Sequence, residues 1–298
     1  MGAQNSHIVD CSVKLMKLFY ISTLIFVTLI CFDPKPKGGS LGQMHASAPA
    51  TTSEFTNAAA RNALLSNSLE WTFGSKQQHG WYLYLPLIRQ TLNNNQDVQS
   101  VGFAKAVAMW QKKNGLPSTG VLDDTSLYAL IKLWQGARLK DRSIASADQL
   151  VTAPISEFYD PTRAEELRKV ERSTYAAYKR LVAGAVADKS LGLASNKGEL
   201  GPNEKFLKIV SAFRSRDYQD KLRRESPNSG SAGLAVNSPH FTGRALDLYV
   251  GGEPVDTRDP NRQIQINTRV YQWLVKNADK YGFRPYFYEP WHWEYVGK

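Results

Sequence analysis

Cysteine is nearly absent from this chain of 298 residues, which contains two. Both, Cys11 and Cys31, lie in an N-terminal segment that we expect to be separate from the folded domains. The remainder of the chain therefore has no disulfide bond, no cysteine nucleophile and no zinc site built on thiolates. Any metal ion bound there must be held by His, Asp or Glu side chains.

Acidic residues are also fewer than basic ones, and the formal net charge is +10. A hydrophobic content of 42% with 21% charged residues is typical of a globular protein and excludes an intrinsically disordered one. The positive charge is dispersed and no nucleic-acid-binding motif accompanies it, so we expect no nucleic-acid partner. Binding to an anionic envelope polymer, or no polyanionic partner at all, remains open on charge alone.

Long apolar runs are absent except for residues 18–32, which follow Lys14 and Lys17. This pattern predicts a signal peptide or a membrane anchor over residues 1–32, and an uncleaved anchor is favoured because no close cleavage pattern follows. On either interpretation the rest of the protein acts outside the cytoplasm, in the cell envelope. Residues 33–70 begin with a stretch rich in Pro, Gly, Ser, Thr and Ala and are predicted to be a flexible linker.

The next region, residues 71–137, has the pattern of three short helices. The first is predicted over residues 81–93, and the second ends at Asn114-Gly115 with glycine as its C-terminal cap. Asp123 and Asp124 are candidate N-caps of the third. Apolar residues recur at helical spacing throughout, so we expect most aromatic side chains here to lie in the core.

Helices and short strands alternate in the C-terminal region, which predicts an α+β fold with helices packed on a small antiparallel sheet. The predicted elements are a helix from Asp160 through Leu181, strands over 206–213, 246–250 and 286–295, a loop over 251–267 and a helix over 268–281.

Two short strings in this region carry candidate chemistry: SPHFTGRALD at residues 238–247 and EPWH at residues 289–292. His240 and Asp247 can converge from a loop and the strand after it, and His292 comes from the last strand. Two imidazoles and a carboxylate can hold one zinc ion and leave a fourth position for water, while a glutamate that does not bind the metal moves the proton.

These strings resemble the motifs of zinc D-alanyl-D-alanine carboxypeptidases and L-alanyl-D-glutamate endopeptidases of bacterial cell walls, including the vancomycin-resistance type. The segment SAFRSRDYQ at residues 211–219 is similar to a stretch that these enzymes carry upstream of the first ligand. Residues 106–127 resemble the small peptidoglycan-binding domain of wall hydrolases. The resemblance implies a peptidoglycan-binding-like domain over 71–137 and a zinc metallopeptidase domain over 155–298.

The same resemblance implies roles for individual residues. His240, Asp247 and His292 would bind one catalytic Zn²⁺, and Glu289 would act as general base and then general acid. Arg214 would hold the carbonyl oxygen as charge develops on it, although a purely structural salt bridge is the alternative.

Two further residues have lesser roles in this interpretation. Ser238 is placed by the resemblance at the substrate end of the site. Glu294 is the second candidate for the base, because strand alternation puts it on the same face as His292.

Other peptidase mechanisms lack their motifs. No lysine follows a serine at the spacing Ser-x-x-Lys, which excludes a penicillin-sensitive serine peptidase. His-Glu-x-x-His does not occur either, which excludes the thermolysin type.

The expected activity is therefore removal of terminal D-Ala from peptidoglycan stem peptides by a zinc enzyme that also contacts the glycan. Cleavage of the L-Ala-D-Glu bond or of a cross-bridge is the first alternative. A non-catalytic wall-binding scaffold is the second. A carboxypeptidase needs a cluster of cations or amides for the terminal carboxylate, and the sequence does not show where Arg244, Arg258 or Arg284 points.

Overall fold

The computed structural model describes residues 52–227 and 234–297. The N-terminal part of this range consists of helices and one short hairpin. Their bounds are α1 (Thr52–Ser68), β1 (Glu70–Phe73), β2 (Lys76–His79), α2 (Leu85–Leu92), α3 (Val101–Lys113) and α4 (Asp124–Ala137). The predicted leader over 1–32 lies outside the described residues. Within them, no helix combines the length and the apolar character that a membrane crossing requires.

The three helices predicted from local sequence patterns are present as α2, α3 and α4. Helix α3 begins where the Ser100 hydroxyl accepts a hydrogen bond from Phe103 N, and the chain leaves it through Gly115 at a φ of +71°. Helix α4 is capped by Asp123, whose carboxylate accepts from Ser126 N at 2.9 Å. The Asp123 cap and the left-handed Gly115 set helix bounds as predicted, and the Ser100 cap is an addition from the structure.

The prediction of a flexible linker up to residue 70 is wrong from Thr52 onward, where α1 begins. The alanines of this stretch, which contribute to its linker-like composition, are strong helix formers. Ala58 and Ala59 are buried where α1 packs on α3. The fully buried Asn62 ties the helix down, since its side chain donates to Gly120 O and accepts from Leu122 N.

The C-terminal part contains an antiparallel four-stranded sheet in the order β7-β8-β10-β9, with helices packed against it. The α+β class predicted from the sequence is therefore confirmed. The bounds are β3 (Leu150–Thr152), β4 (Lys169–Glu171), α5 (Arg172–Ala187), β5 (Ser195–Asn196), β6 (Glu199–Leu200), β7 (Ile209–Ser211), α6 (Arg216–Glu225), β8 (Ala245–Leu248), α7 (Asp259–Ile266), α8 (Arg269–Asn277), β9 (Phe283–Tyr286) and β10 (Glu289–Tyr295).

The helix predicted from Asp160 starts later than the sequence suggested. Asp160 caps a turn instead, accepting hydrogen bonds from the backbone and hydroxyl of Thr162. The chain then pairs β4 with β3 before α5 begins, with Glu171 accepting from the first backbone N–H groups of the helix. A strand pairing with a distant segment thus overrides the local helical pattern.

Another prediction about the C-terminal region is also wrong, and a second is wrong only at its start. The stretch 251–267 was predicted to be a loop, but it contains α7, which starts at Asp259 with proline in its first turn. The strand predicted over 286–295 is present as β10 from Glu289 onward, but Tyr286 belongs to β9, which pairs with β10 in a hairpin that the sequence did not predict.

The N-terminal helices and the C-terminal sheet share one hydrophobic core. Phe287, in the β9–β10 turn, has its ring centroid 4.7 Å from Phe73, 5.3 Å from Tyr84 and 6.0 Å from Trp134. The described residues all belong to one compact unit. The predicted division into a 71–137 domain and a 155–298 domain stays a prediction, but the two parts are packed together.

Candidate metal centre

The first candidate ligand, His240, lies in a single 3₁₀ turn just before β8. The Ser238 hydroxyl caps this turn by accepting from His240 N at 3.3 Å. The turn ends at Gly243, where φ is +65° and an added Cβ would lie 2.9 Å from Glu171 N. Glycine is therefore needed at this position to bring His240 back over the start of the strand.

Asp247 and His292 are directly opposite each other on adjacent strands, in the register of β8 with β10. His292 Nδ1 lies 2.9 Å and His240 Nε2 lies 3.3 Å from the same atom, Asp247 Oδ1. All three side chains are buried, and one ligand atom from each lies within 4.8 Å of the others. The structure thus brings together the three residues that the motifs predicted.

The outer nitrogen of each imidazole is already hydrogen bonded. His240 Nδ1 lies 2.6 Å from Ala212 O, and His292 Nε2 lies 3.2 Å from Glu294 Oε1. Because both partners are acceptors, the neutral imidazoles carry their protons on these outer nitrogens. With both imidazoles neutral, two nitrogen lone pairs and a carboxylate oxygen face one another, an arrangement that can hold a metal ion.

Without a metal ion, the two imidazoles differ in charge. Burial lowers the pKa of His240 to about 4, with Arg214 adding to the effect. Burial also acts to lower the pKa of His292, but hydrogen bonds to Asp247 and Glu294 outweigh it and raise the pKa to about 9. The pKa of Asp247 is held well below its usual range, since His240 and Arg214 outweigh its desolvation. Asp247 is therefore ionised and available as a ligand.

Arg214 follows β7 and is buried against the ligands. Its Nη2 donates to Asp247 Oδ2 at 2.6 Å, and its Nε donates to Ser211 Oγ at 2.9 Å. Gln219 accepts from Nη1 at 3.3 Å. These contacts leave Asp247 Oδ1 facing the histidines, so Arg214 orients the carboxylate of the candidate ligand.

Glu289 faces the same cavity as the triad, although it precedes His292 by three residues on one strand. Regular alternation would put the two side chains on opposite faces, but the pairing of β10 with β9 shifts register between Glu289 and Trp293. Such an irregularity redirects a side chain. Burial, reinforced by Asp247 and only partly offset by His292, raises the pKa of Glu289 to about 8.

Glu294, the second candidate for the base, has a different environment. It is fully buried, accepts from Leu139 N at 2.9 Å and pairs with Arg138 Nη2 at 2.5 Å. Burial acts to raise its pKa, but His292 and Arg138 outweigh this and lower it to about 2. Glu294 therefore supports His292 from behind and is not placed to accept a proton in the cavity.

The cavity over the triad has a volume of about 450 Å³ and is also lined by Ser238 and Trp291. Three arginines contribute to its wall: Arg138, Arg142 and Arg214. No sequence motif pointed to Arg138 or Arg142, because both follow α4 and reach the site only through the packing of the N-terminal helices on the sheet.

The arginines considered from sequence for a substrate carboxylate point elsewhere. Arg258 pairs with Asp256 and Arg284 with Asp279 on the surface. Arg244 lies over the ring of Tyr295 at 5.5 Å. Those three are thus not part of the cavity wall.

The comparison with protein families agrees with this geometry. Residues 182–298 match the family model of VanY, described as D-alanyl-D-alanine carboxypeptidase. No curated protein matches the chain. The matched range contains the triad, Glu289 and Arg214, whereas Arg138, Arg142 and the N-terminal helices lie outside it. The C-terminal part of this chain, residues 182–298, is thus similar to the VanY family of D-alanyl-D-alanine carboxypeptidases.

Proposed function

We propose that this protein is a zinc-dependent D-alanyl-D-alanine carboxypeptidase that removes the terminal D-Ala from peptidoglycan stem peptides. The observation that carries the proposal is the buried His240–Asp247–His292 triad with Glu289 on the wall of the same cavity. A non-catalytic scaffold is the weaker alternative, because such a protein has no need to keep all four residues.

The donor set fits one zinc ion. His240 would bind through Nε2, His292 through Nδ1 and Asp247 through a carboxylate oxygen, and the outer nitrogens are held by acceptors as zinc-binding histidines usually are. When bound, zinc would polarise the scissile carbonyl and lower the pKa of water at its open position to about 7.

Glu289 is the residue to move protons. Its carboxylate would accept a proton from the attacking water as the water oxygen bonds to the carbonyl carbon. It would then donate that proton to the departing amine nitrogen as the C–N bond breaks, giving free D-Ala and a stem shortened by one residue. In the metal-free protein burial raises the pKa of Glu289 to about 8, and the positive charge of a bound zinc ion would lower this pKa and favour the carboxylate that accepts the first proton.

Arg214 and Ser238 keep their predicted roles as proposals. Arg214 is bound to Asp247, so its support of the carbonyl oxygen would depend on N–H groups not used in that pair. Ser238 is buried at the cavity wall and its hydroxyl already caps the turn of His240. Its contribution would thus include holding His240 in place.

Arg142 is the best candidate to bind the terminal carboxylate of the substrate. Arg138 and Arg214 are paired with Glu294 and Asp247, whereas Arg142 has no ion pair among the described residues. Its Nη1 donates to the carbonyls of Leu139 and Asp141, and burial lowers the pKa of its guanidinium. A partly desolvated cation that forms no ion pair favours a carboxylate ligand.

Export to the cell envelope and binding to the wall complete the proposal. The apolar run at 18–32 would export or anchor the chain, and the N-terminal helices would contact glycan. Phe103 and Trp134 are buried in the core, as expected, so glycan contact would fall to other side chains of this part.

Digestion of purified muropeptides by the full-length protein, with products identified by mass, tests this function. We expect loss of a single alanine from pentapeptide stems, abolished by a chelator and restored by zinc. Cuts within the stem would replace the carboxypeptidase with the endopeptidase alternative. Absence of cleavage by the zinc-loaded protein would favour the scaffold.

A further inference from the structure

Glu294 is a buried carboxylate in contact with a candidate metal ligand, and the cation paired with it comes from outside the family domain. Arg138 directly follows α4, and its Nε and Nη2 both donate to Glu294 Oε1, at 3.2 and 2.5 Å. Glu294 Oε1 also accepts from His292 Nε2. The contacts thus run without a break from the end of α4 to the imidazole of His292.

We infer that Arg138 is a positioning residue of the metal centre, which acts through Glu294 to fix the orientation of His292. The inference rests on the proposed function, in which His292 binds zinc through Nδ1. Arg138 would make the N-terminal helices part of the catalytic unit, in addition to any role in binding the wall.

The burial of Glu294 explains why this carboxylate needs Arg138. Its side chain is 0% exposed and that of Arg138 is 14% exposed. A carboxylate removed from water is costly unless it is paired and hydrogen bonded. Arg138 and Leu139 N satisfy its two oxygens from the same short segment. Among the described residues, Arg138 supplies the permanent positive charge that pairs with Glu294.

Arg138 is itself held firmly in this position. Its Nη1 donates to Gln135 Oε1 at 2.8 Å, within the last turn of α4. Its guanidinium carbon lies 3.9 Å from the ring centroid of Tyr286. Since the fork of an arginine is planar, these contacts set the direction in which its remaining N–H groups point. The end of α4 therefore fixes where Glu294 can lie.

The consequence for His292 follows from strand geometry. His292 and Glu294 are two residues apart on β10 and share a face. Because Arg138 holds Glu294 in place, the Nε2–H of His292 donates to a fixed acceptor. The other ring nitrogen, Nδ1, then faces Asp247 Oδ1 at 2.9 Å. Carboxylates that hold a metal-binding histidine in this way are typically worth 10- to 100-fold in metal affinity.

Metal affinity of full-length variants tests the inference. We expect Arg138→Ala and Glu294→Gln each to weaken zinc binding by roughly 10- to 100-fold in a chelator competition, and to alter the visible absorption spectrum of the Co²⁺-substituted protein. Because both variants break one chain of contacts, the double variant should lose little more than either single one. The matched control is Arg284→Ala on β9, which breaks a surface pair with Asp279 and should leave affinity and spectrum unchanged.

The outcomes separate this inference from the proposed function. Parent-like zinc affinity and Co²⁺ spectrum in Arg138→Ala would overturn it, even if the melting temperature falls, because the role of Arg138 would then be structural only. If Arg138→Ala does not fold, Glu294→Gln decides by the same measurements. Failure of the parent protein to bind zinc would instead contradict the proposed function itself.

Discussion

The candidate metal ligands and the cavity arginines reach one site by different routes. His240, Asp247 and His292 come from a turn and two adjacent strands of one sheet, within the residues matched by the family. Arg138 and Arg142 come from the segment after α4, outside those residues, and meet the site through a shared hydrophobic core. The comparison shows that the family-matched part contains the candidate ligands, while the N-terminal part adds two arginines to the wall of the same cavity.

The largest effect is expected at the reaction chemistry. Glu289→Gln removes the group that moves the proton and should lower kcat by about 10²- to 10⁴-fold. Because Glu289 is not one of the three candidate ligands, the zinc content should remain one ion per chain. The rate of D-Ala release and the zinc content of the purified variant check this together, and retained activity would remove Glu289 from its assigned role.

A smaller effect is expected in the arginine segment. Arg142→Ala should reduce kcat/KM for peptides with a free terminal carboxylate by roughly 10- to 100-fold, since a hydrogen bond to a charged group contributes about 1.5–3 kcal/mol. The same peptides with an amidated C-terminus provide the control and should be cleaved equally by variant and parent. Equal losses on both substrates would assign Arg142 a role in stability or folding instead of carboxylate recognition.

The raised pKa of Glu289 in the metal-free protein can be tested through the pH dependence of the free energy of unfolding. Folding raises the pKa of Glu289 from 4.5 to about 8, so between these values the folded state binds the proton and the unfolded state does not. Its contribution to the free energy of unfolding is therefore present below about pH 4.5 and is lost as the pH rises to about 8. Urea unfolding of the chelator-treated parent and of Glu289→Gln, compared across this range, should show a steeper decline in the parent. Parallel declines would contradict the raised pKa.

The smallest effect on activity is expected far from the cavity, on helix α1. Asn62→Ala leaves the buried Gly120 carbonyl and the Leu122 N–H without their partner, which should lower the free energy of unfolding by about 1–3 kcal/mol. Zinc affinity and kcat should remain those of the parent, because Asn62 contacts neither the ligands nor Arg138. Denaturant unfolding and a D-Ala release assay measure both quantities, and a loss of zinc affinity would show wider coupling than the contacts indicate.

Sequence patterns predicted the parts of the structure that depend on short stretches of chain. The cap Asp123, the turn at Gly243 and the convergence of His240 with Asp247 all involve residues within ten positions of one another. Helix α8, predicted over 268–281, likewise begins after a Thr268 cap and is followed by a 3₁₀ turn ending at Gly282.

Features that depend on distant segments were missed or misplaced. Because β3 pairs with β4, α5 begins later than the sequence predicts. Because its alanines pack on α3, part of the predicted linker is the helix α1. Strand alternation correctly put Glu294 on the face of His292, but it did not reveal that the Glu294 carboxylate forms an ion pair with Arg138. The contact of Arg138 with Glu294 joins residues 156 positions apart, and no local pattern encodes it.

A crystal structure of the zinc-loaded protein with a bound peptide-product analogue, with anomalous scattering recorded at the zinc edge, tests the central claim most directly. We predict one anomalous peak about 2.0–2.2 Å from His240 Nε2, His292 Nδ1 and an oxygen of Asp247, with the carboxylate of the analogue at Arg142. Zinc bound elsewhere, or no zinc at the triad, would contradict the account.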